Sequence, residues 1–266
     1  MWRNLARLAR HRVLIQSLVV RELKARYRGS FLGFFWSFVN PLLLLSIYTF
    51  VFSTIMKSQE ERTSPFAVFM FSGLLPWTWF SASLMEASGS LISGGNLIKK
   101  VLFPAEVLPI VSVLANMVHF FLGLIILAAF MIGFGHYPDP GDLPWFPLVV
   151  LIQLIFTIGL ALMLSALTVH FRDIRDLLSN LLTFWFFATP IIYAYFLPAV
   201  ERFRWLFNLN PFFHLAVSYQ EILFFHGSFA HGHLRLLLLF GLLTIPFALA
   251  GYWLFDRLRD SFAEAV

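Results

Sequence analysis

Six apolar stretches set the limits on what this chain can fold into. They cover residues 31–56, 66–87, 107–134, 145–169, 177–197 and 236–255, and a helix needs about 20 apolar residues to cross a hydrocarbon core. The breaks between them hold charges or turn residues. Examples are Lys57-Ser58-Gln59-Glu60-Glu61-Arg62, His136-Tyr137-Pro138-Asp139-Pro140 and Arg172-Asp173-Ile174-Arg175-Asp176. Backbone groups in lipid must be satisfied internally, so each continuous run reads as a helix. A barrel would show alternating strands of about ten residues instead. The expected fold class is all-α and integral to a membrane, with six transmembrane helices over residues 31–266. Of the 266 residues 59% are hydrophobic and 12% are charged, and a soluble domain carries about twice that charge. A soluble enzyme, a disordered chain and a nucleic-acid-binding domain are therefore excluded, and no nucleic-acid partner is expected. With no cysteine in the chain, disulfides, thiolate metal sites and cysteine nucleophiles are excluded too.

The basic residues orient the spans. Eight of the nineteen Lys and Arg lie in residues 1–30, and six more fall at 99–100, 172–175 and 257–259. These fourteen lie on one side of a six-span arrangement. The other side holds five: Lys57, Arg62, Arg202, Arg204 and Arg235. By the positive-inside rule both termini face the cytoplasm. No cleavable signal peptide is expected, because the first apolar run starts late, is too long and lacks a small-residue cleavage site.

Residues 1–30 read as an amphipathic interface helix. Arg3, Arg7, Arg10, Arg21, Lys24 and Arg28 fall within an arc of about 100°, with Leu5, Leu8, Ile15, Val19 and Leu23 opposite. Such a helix lies along a leaflet and is drawn to anionic membrane lipid. It serves either as a topology signal and anchor, or also as a docking surface for a cytoplasmic partner. Arg12 and Arg26 sit near the apolar side and are the residues left for that contact.

Ionisable groups inside the spans are few, and each is costly. Glu86 shares a helical face with Trp79, Ser83 and Ser90. His119 shares one with Asn116 and Gly123. Ser37, Asn40, Leu44 and Tyr48 align in the first span, Gln153 and Thr157 in the fourth, and Asn180, Phe184 and Phe187 in the fifth. Each stripe serves helix packing or a shared polar–aromatic pathway. Phe184-Trp185-Phe186-Phe187 lies within its span, away from the interfacial positions aromatics usually take. Aromatic faces suit the C–H faces of sugar rings, by the stacking logic that serves bases.

The connection from the fifth stretch to the sixth is unusual: Thr189-Pro190 is followed by Ile191-Ile192-Tyr193-Ala194-Tyr195-Phe196-Leu197-Pro198 and a short charged stretch from Glu201 to Arg204. Asn210-Pro211 then opens a helical stretch, 212–225, too short to span. Residues 190–225 read either as outer re-entrant helices over a pathway or as helices resting on the outer headgroups. His226, His231 and His233 lie near one another in the following loop. A solvated loop is the expected reading there, and no metal site is expected. Neither a phosphate-cradling Gly-x-x-x-x-Gly-Lys-Ser/Thr loop nor a metalloprotease or hydrolase motif is present, so no catalytic residues are expected.

Several segments resemble the membrane subunit of type-2 ABC exporters for polysaccharides. They are Val20-Arg21-Glu22-Leu23-Lys24-Ala25-Arg26-Tyr27-Arg28-Gly29-Ser30-Phe31-Leu32-Gly33 leading to Trp36 and Asn40-Pro41, then Gly73-Leu74-Leu75-Pro76-Trp77 and Leu102-Phe103-Pro104-Ala105-Glu106. Phe171-Arg172-Asp173-Ile174, Thr189-Pro190-Ile191-Ile192-Tyr193 and Asn210-Pro211 follow in family order. The likeness is greatest to O-antigen export permeases, with teichoic-acid and capsule permeases as relatives.

The resemblance implies a permease in a bacterial inner membrane, not an enzyme. It implies a second copy of the chain, two ABC ATPase subunits that carry ATP and Mg, and an undecaprenyl-linked glycan as cargo. It matches residues 94–106 to the coupling region and 190–225 to the outer gate. Arg26, Lys99, Lys100, Phe103 and Glu106 are then the ATPase-coupling candidates, although the lysines also suit a plain positive-inside role. Pro190, Tyr193, Asn210 and Pro211 are the gate candidates. Helical faces, not motifs, suggest Tyr48, Trp79, Glu86, Phe184 and Phe187 as channel lining. A type-2 exporter for a drug shares this fold. An ion-coupled carrier would favour an inverted repeat and more buried charge, and neither is evident.

Overall fold

The computed structural model describes residues 11–51, 63–99, 103–225, 229 and 232–262. Among these no residue lies in a β-strand. The helices are α1 (Arg12–Arg26), α2 (Trp36–Thr49), α3 (Phe66–Ser93), α4 (Gly95–Ile98), α5 (Val107–Phe134) and α6 (Phe146–His170). They continue with α7 (Ile174–Phe187), α8 (Pro198–Arg202), α9 (Arg204–Leu209), α10 (Pro211–Leu223) and α11 (Leu234–Leu258). Four apolar segments are long enough to cross a membrane: Phe66–Ser93, Val107–Phe134, Leu143–His170 and Leu234–Ser261, 28 residues each. At 1.5 Å per residue each reaches about 42 Å.

Helix α2 has 14 residues within the expected first span, and residues 52–56 of that span lie outside the described residues. Helix α7 also has 14 residues. It covers the start of the expected fifth span, 177–197, and stops at Phe187. The cause is local: Thr189 precedes Pro190, and the residue before a proline is pushed out of the helical region. Arg3, Leu5, Arg7, Leu8, Arg10, Lys57, Arg62, Lys100, His226 and His231 also lie outside the described residues.

Helix α3 is the axis of the molecule. It packs against α5, α6, α10, α7 and α2, and Val68, Phe69, Met70, Phe71 and Phe80 are all but fully buried. A helix apolar on every side needs such a central position. Phe80 stacks on Phe156 of α6 at 5.7 Å, and Trp77 meets Phe212 of α10 edge-on at 4.9 Å. Helix α11 rests on α6 at a close crossing. A Cβ added to Gly251 would lie 2.4 Å from the Gly159 carbonyl oxygen, so small residues let the backbones approach there.

Contacts define two ends. At one, α1 lies on the start of α5, with Leu18 against Val107 and Val111, and Leu14, Ile15 and Val19 around them. The apolar side of α1 thus rests on protein, while Val13 and Val20 remain exposed. The same end gathers Leu91, Leu108, Leu162, Val169, Phe255 and Phe262. At the other end Phe224, just past α10, packs edge-on against Phe69 near the start of α3. Its ring also stacks on His136 at 4.5 Å.

Candidate functional site

A connected polar cluster sits where α1 meets α3 and α5. Arg26, in the last turn of α1, forms an ion pair with Glu86 of α3. Its Nη1 donates to Asn116 Oδ1 at 3.0 Å. Asn116 Nδ2 donates to Glu86 Oε2 at 2.7 Å, which closes a triangle. Next along the chain, the Tyr27 hydroxyl lies 2.6 Å from Ser37 Oγ of the α2 turn and 2.6 Å from His119 Nε2 of α5. Three stripes visible in the sequence, those of Glu86, Asn116–His119 and Ser37, therefore converge. The pair is partly buried, and its hydrogen bonds to Asn116 fix its geometry.

Two clefts flank α2 and share Leu44, Leu74, Thr78 and Ala82 as a common wall. One, of about 590 Å³, has the Arg26–Glu86 cluster, Tyr27 and Asn40 among its polar lining and Leu43, Ile47 and Phe71 among its apolar lining. Trp79 is in its wall but 2% exposed. Its ring stacks on Phe120 at 5.0 Å, and its Nε1–H donates to the Val113 carbonyl at 3.1 Å. The second cleft, of about 570 Å³, lies between α2, α3 and α7 and holds Tyr48 and Phe187. The structure thus pairs Trp79 with Glu86 on one side of α2 and Tyr48 with Phe187 on the other.

Helix α7 turns a narrow stripe inward: Leu178, Leu182 and Phe186 are buried. Leu177, Leu181, Phe184 and Phe187 are exposed, and Phe184 reaches 71%. Asn180 and Thr183 are also exposed on this helix. This is a broad face of rings, aliphatic groups and uncharged polar groups left uncovered among the described residues.

Beyond α7, Asn210 is a hub. Its Oδ1 accepts from Trp185 Nε1 at 2.6 Å and from the Phe212 N–H at 3.0 Å. Its Nδ2 donates to Thr189 Oγ1 at 2.9 Å and to the Ala188 carbonyl at 3.2 Å. Pro211 follows in the first turn of α10, where a missing N–H costs nothing. Gln220 Nε2 donates to the Pro190 carbonyl at 2.9 Å, and the Tyr193 hydroxyl donates to the Phe187 carbonyl at 3.0 Å. Pro190, Tyr193, Asn210 and Pro211 therefore belong to one connected region.

The coupling candidates divide. Lys99 is exposed in the turn after α4. Phe103 packs both on the Leu18 cluster and on the Leu91 cluster, bridging α1 to the rest of that end. Glu106 is 4% exposed and faces Arg259 at 3.6 Å, an ion pair without a hydrogen bond. Arg26 points inward to Glu86.

A histidine pair lies beside α10. His214 Nε2 donates to the Asn208 carbonyl at 3.1 Å, which leaves Nδ1 as an acceptor for His233 Nε2 at 3.3 Å. Nothing in the spacing of 214 and 233 announced this contact. The nearest signal was two histidines placed at the ends of adjoining apolar segments. Among the described residues no group of three or more His, Cys, Asp or Glu is placed to hold a metal ion.

The model of the ABC-2 type transporter family matches residues 13–224. The chain is 40% identical to an O-antigen export system permease protein of Myxococcus xanthus, over the whole of both chains. It is 33% identical to an O-antigen export system permease protein of Klebsiella pneumoniae over 94% of each. A capsule polysaccharide export inner-membrane protein of Neisseria meningitidis is more distant, at 27% over 71% of this chain and 70% of its own. Four long apolar helices and permease relatives make this a multi-pass membrane protein. With more than half its length matched, the chain belongs to the ABC-2 type transporter family.

Proposed function

We propose that this chain is the permease half of an ATP-driven exporter. Its cargo is a lipid-linked polysaccharide of the O-antigen kind, moved from the cytoplasmic to the outer leaflet of a bacterial inner membrane. Two copies assemble with two ATPase subunits, which bind ATP and Mg. The chain lacks a phosphate loop of its own, and the relatives of matching length are named as export permeases.

The observation that carries the reading is the uncovered face of α7. Phe184 and Phe187 stand out from it beside Asn180 and Thr183, and Tyr48 of α2 shares the adjoining cleft with Phe187. Rings and uncharged polar groups let successive sugars pass with many weak contacts. A second copy facing this surface would close it into a conduit. In this reading the wall is built from Tyr48, Phe184 and Phe187, while Trp79 belongs to the cleft on the other side of α2.

Six crossings complete the topology, with segments 31–56 and 177–197 as the first and fifth and both termini cytoplasmic. Residues 190–225 form a re-entrant outer gate. Support comes from α10: Phe212 at its start touches Trp77 and Phe80, midway along α3. Phe224 beyond its end touches Phe69 near the start of α3. Backbone at such depth is tolerated where protein covers it, and Phe212 to Leu223 are all buried.

ATP closes the partner subunits against residues 94–106 and α1, and the two permeases shift relative to each other. A difference in binding energy between two states drives the change. The test is deletion of the gene together with purification of the tagged protein. The expected result is accumulation of lipid-linked glycan on the cytoplasmic side and an ATPase that co-purifies. Glycan export by the purified chain alone, without an ATPase, would overturn the reading.

A further inference from the structure

Helix α1 rests on α5 through Leu14, Ile15, Leu18 and Val19. Its last turn does something different. Arg26 reaches Glu86 of α3 and Asn116 of α5 together, and Tyr27 reaches Ser37 in the first turn of α2 and His119 of α5. Two consecutive residues thus tie α1 to three other parts of the fold. The Arg26 and Glu86 side chains are 20% and 37% exposed, so neither ion is freely hydrated. Separating them would leave two charges poorly solvated at the membrane, which makes the pair hard to open.

The chain that follows is built differently. Gly29 and Gly33 both adopt left-handed φ, +79° and +52°, and open space surrounds each. No α-helix forms between Arg26 and Trp36. The Tyr27–Ser37 contact closes over this mostly exposed connector, and the Trp36 indole N–H donates to Ser30 Oγ within it at 3.1 Å.

We propose that Arg26 and Glu86 form a latch that carries displacement of α1 into α3 and α5, with Tyr27 tying the same turn to the start of α2. Glu86 is then a positioning residue for transport, held by Asn116, and Arg26 acts within the chain and not on the partner's surface. The inference rests on the export reading for its driving force. The latch itself is a property of this chain.

The experiment uses the intact permease with its ATPase in liposomes, and reads glycan moved per ATP hydrolysed. Glu86→Gln leaves Arg26 unpaired and can lower the amount of protein. The deciding variant is therefore Arg26→Met/Glu86→Gln, which removes both charges at once. Its expected result is normal membrane level, ATP hydrolysis within about two-fold of wild type, and transport per ATP down about ten-fold. Arg26→Lys keeps an ion pair and is expected to retain most of the ratio. An unchanged ratio in the double variant overturns the latch. So does disappearance of that variant from the membrane, because the pair would then be a folding element.

A second readout needs no ATPase. The chain lacks cysteine, so Gln16→Cys and Ile92→Cys, both exposed, accept spin labels cleanly on α1 and α3. The expected distance is single and narrow in the parent and broadened in the Arg26→Met/Glu86→Gln background. No broadening overturns the latch. Broadening in a chain that binds no ATPase leaves the latch standing and removes the export reading.

Discussion

Asn210 holds Trp185 by its indole N–H at 2.6 Å, and so fastens the end of α7 to the start of α10. The same side-chain oxygen caps α10 through the Phe212 N–H. Asn210 has extended backbone angles, φ −78° and ψ 111°, as a capping residue requires. Asn210→Ala removes four hydrogen bonds and strands the indole N–H in a half-buried site. The expected loss is about 2–4 kcal/mol, and Trp185→Phe, which removes one bond, loses about 1 kcal/mol. Thermal unfolding of the purified variants checks the order; equal midpoints for Asn210→Ala and the parent would show that the hub holds nothing.

The crossing of α6 and α11 predicts a second asymmetry. A Cβ on Gly251 meets the Gly159 carbonyl oxygen at 2.4 Å, and one on Gly159 meets Ala248 Cα at 2.7 Å. Backbone atoms cannot swing aside, so the helices must part. Gly251→Ala is expected to destabilise by about 1–3 kcal/mol. Gly133→Ala, in α5 with open space around it, is expected to be neutral or stabilising by up to about 1 kcal/mol. Fluorescence-detected size exclusion after a heat step separates the two, and similar profiles would refute the close-packing argument.

The long helices were legible because their ends carry signals that need no tertiary context. Helix α5 covers the expected 107–134 and stops at Gly135, whose φ is +67°, the left-handed stop that glycine favours. The stop of α7 was less legible. Its apolar run continues through Ile191, Ile192 and Phe196, and hydropathy does not register that Pro190 disrupts the helix. Polar stripes were legible singly. A helical wheel places Glu86, Asn116 and His119 on their own faces, but which stripes meet depends on how helices pair. For the same reason a wheel could not show that Arg26 turns inward, or that Trp79 lies beneath Phe120 while Phe184 stays uncovered.

The histidine pair predicts a pH response. Burial, with His214 and Arg204 nearby, pushes His233 down to about 3 from its ordinary 6.5. It is neutral in the folded state, whereas an unfolded chain binds a proton below about pH 6.5. Its contribution to stability is therefore full above 6.5 and is lost as pH falls toward 3. Between pH 7.5 and 5 this amounts to about 1–2 kcal/mol. Tyr195 and Glu221 are joined by a 2.8 Å hydrogen bond close by, and Asp142 also lies near Glu221, so the whole-protein slope mixes several groups. The difference in slope between the parent and His233→Gln isolates this one. Parallel unfolding midpoints from pH 7.5 to 5 would mean that His233 titrates normally.

Neighbouring rings on α7 are expected to separate stability from transport. Phe186 is 8% exposed and packs against Trp77 at 5.8 Å, so Phe186→Ala costs about 3–5 kcal/mol of stability. Phe184 and Phe187 are 71% and 57% exposed. Replacing both with alanine removes little packing within the chain and changes stability by about 0.5 kcal/mol or less. If they line the path of a glycan, each lost ring weakens the passing contact by about 1 kcal/mol, by analogy with stacked bases. The Phe184→Ala/Phe187→Ala variant then slows export by up to about thirty-fold while reaching the membrane at normal level. Quantifying surface glycan against membrane-embedded permease in the same cells makes the comparison, and wild-type export by that variant would remove these two rings from the path.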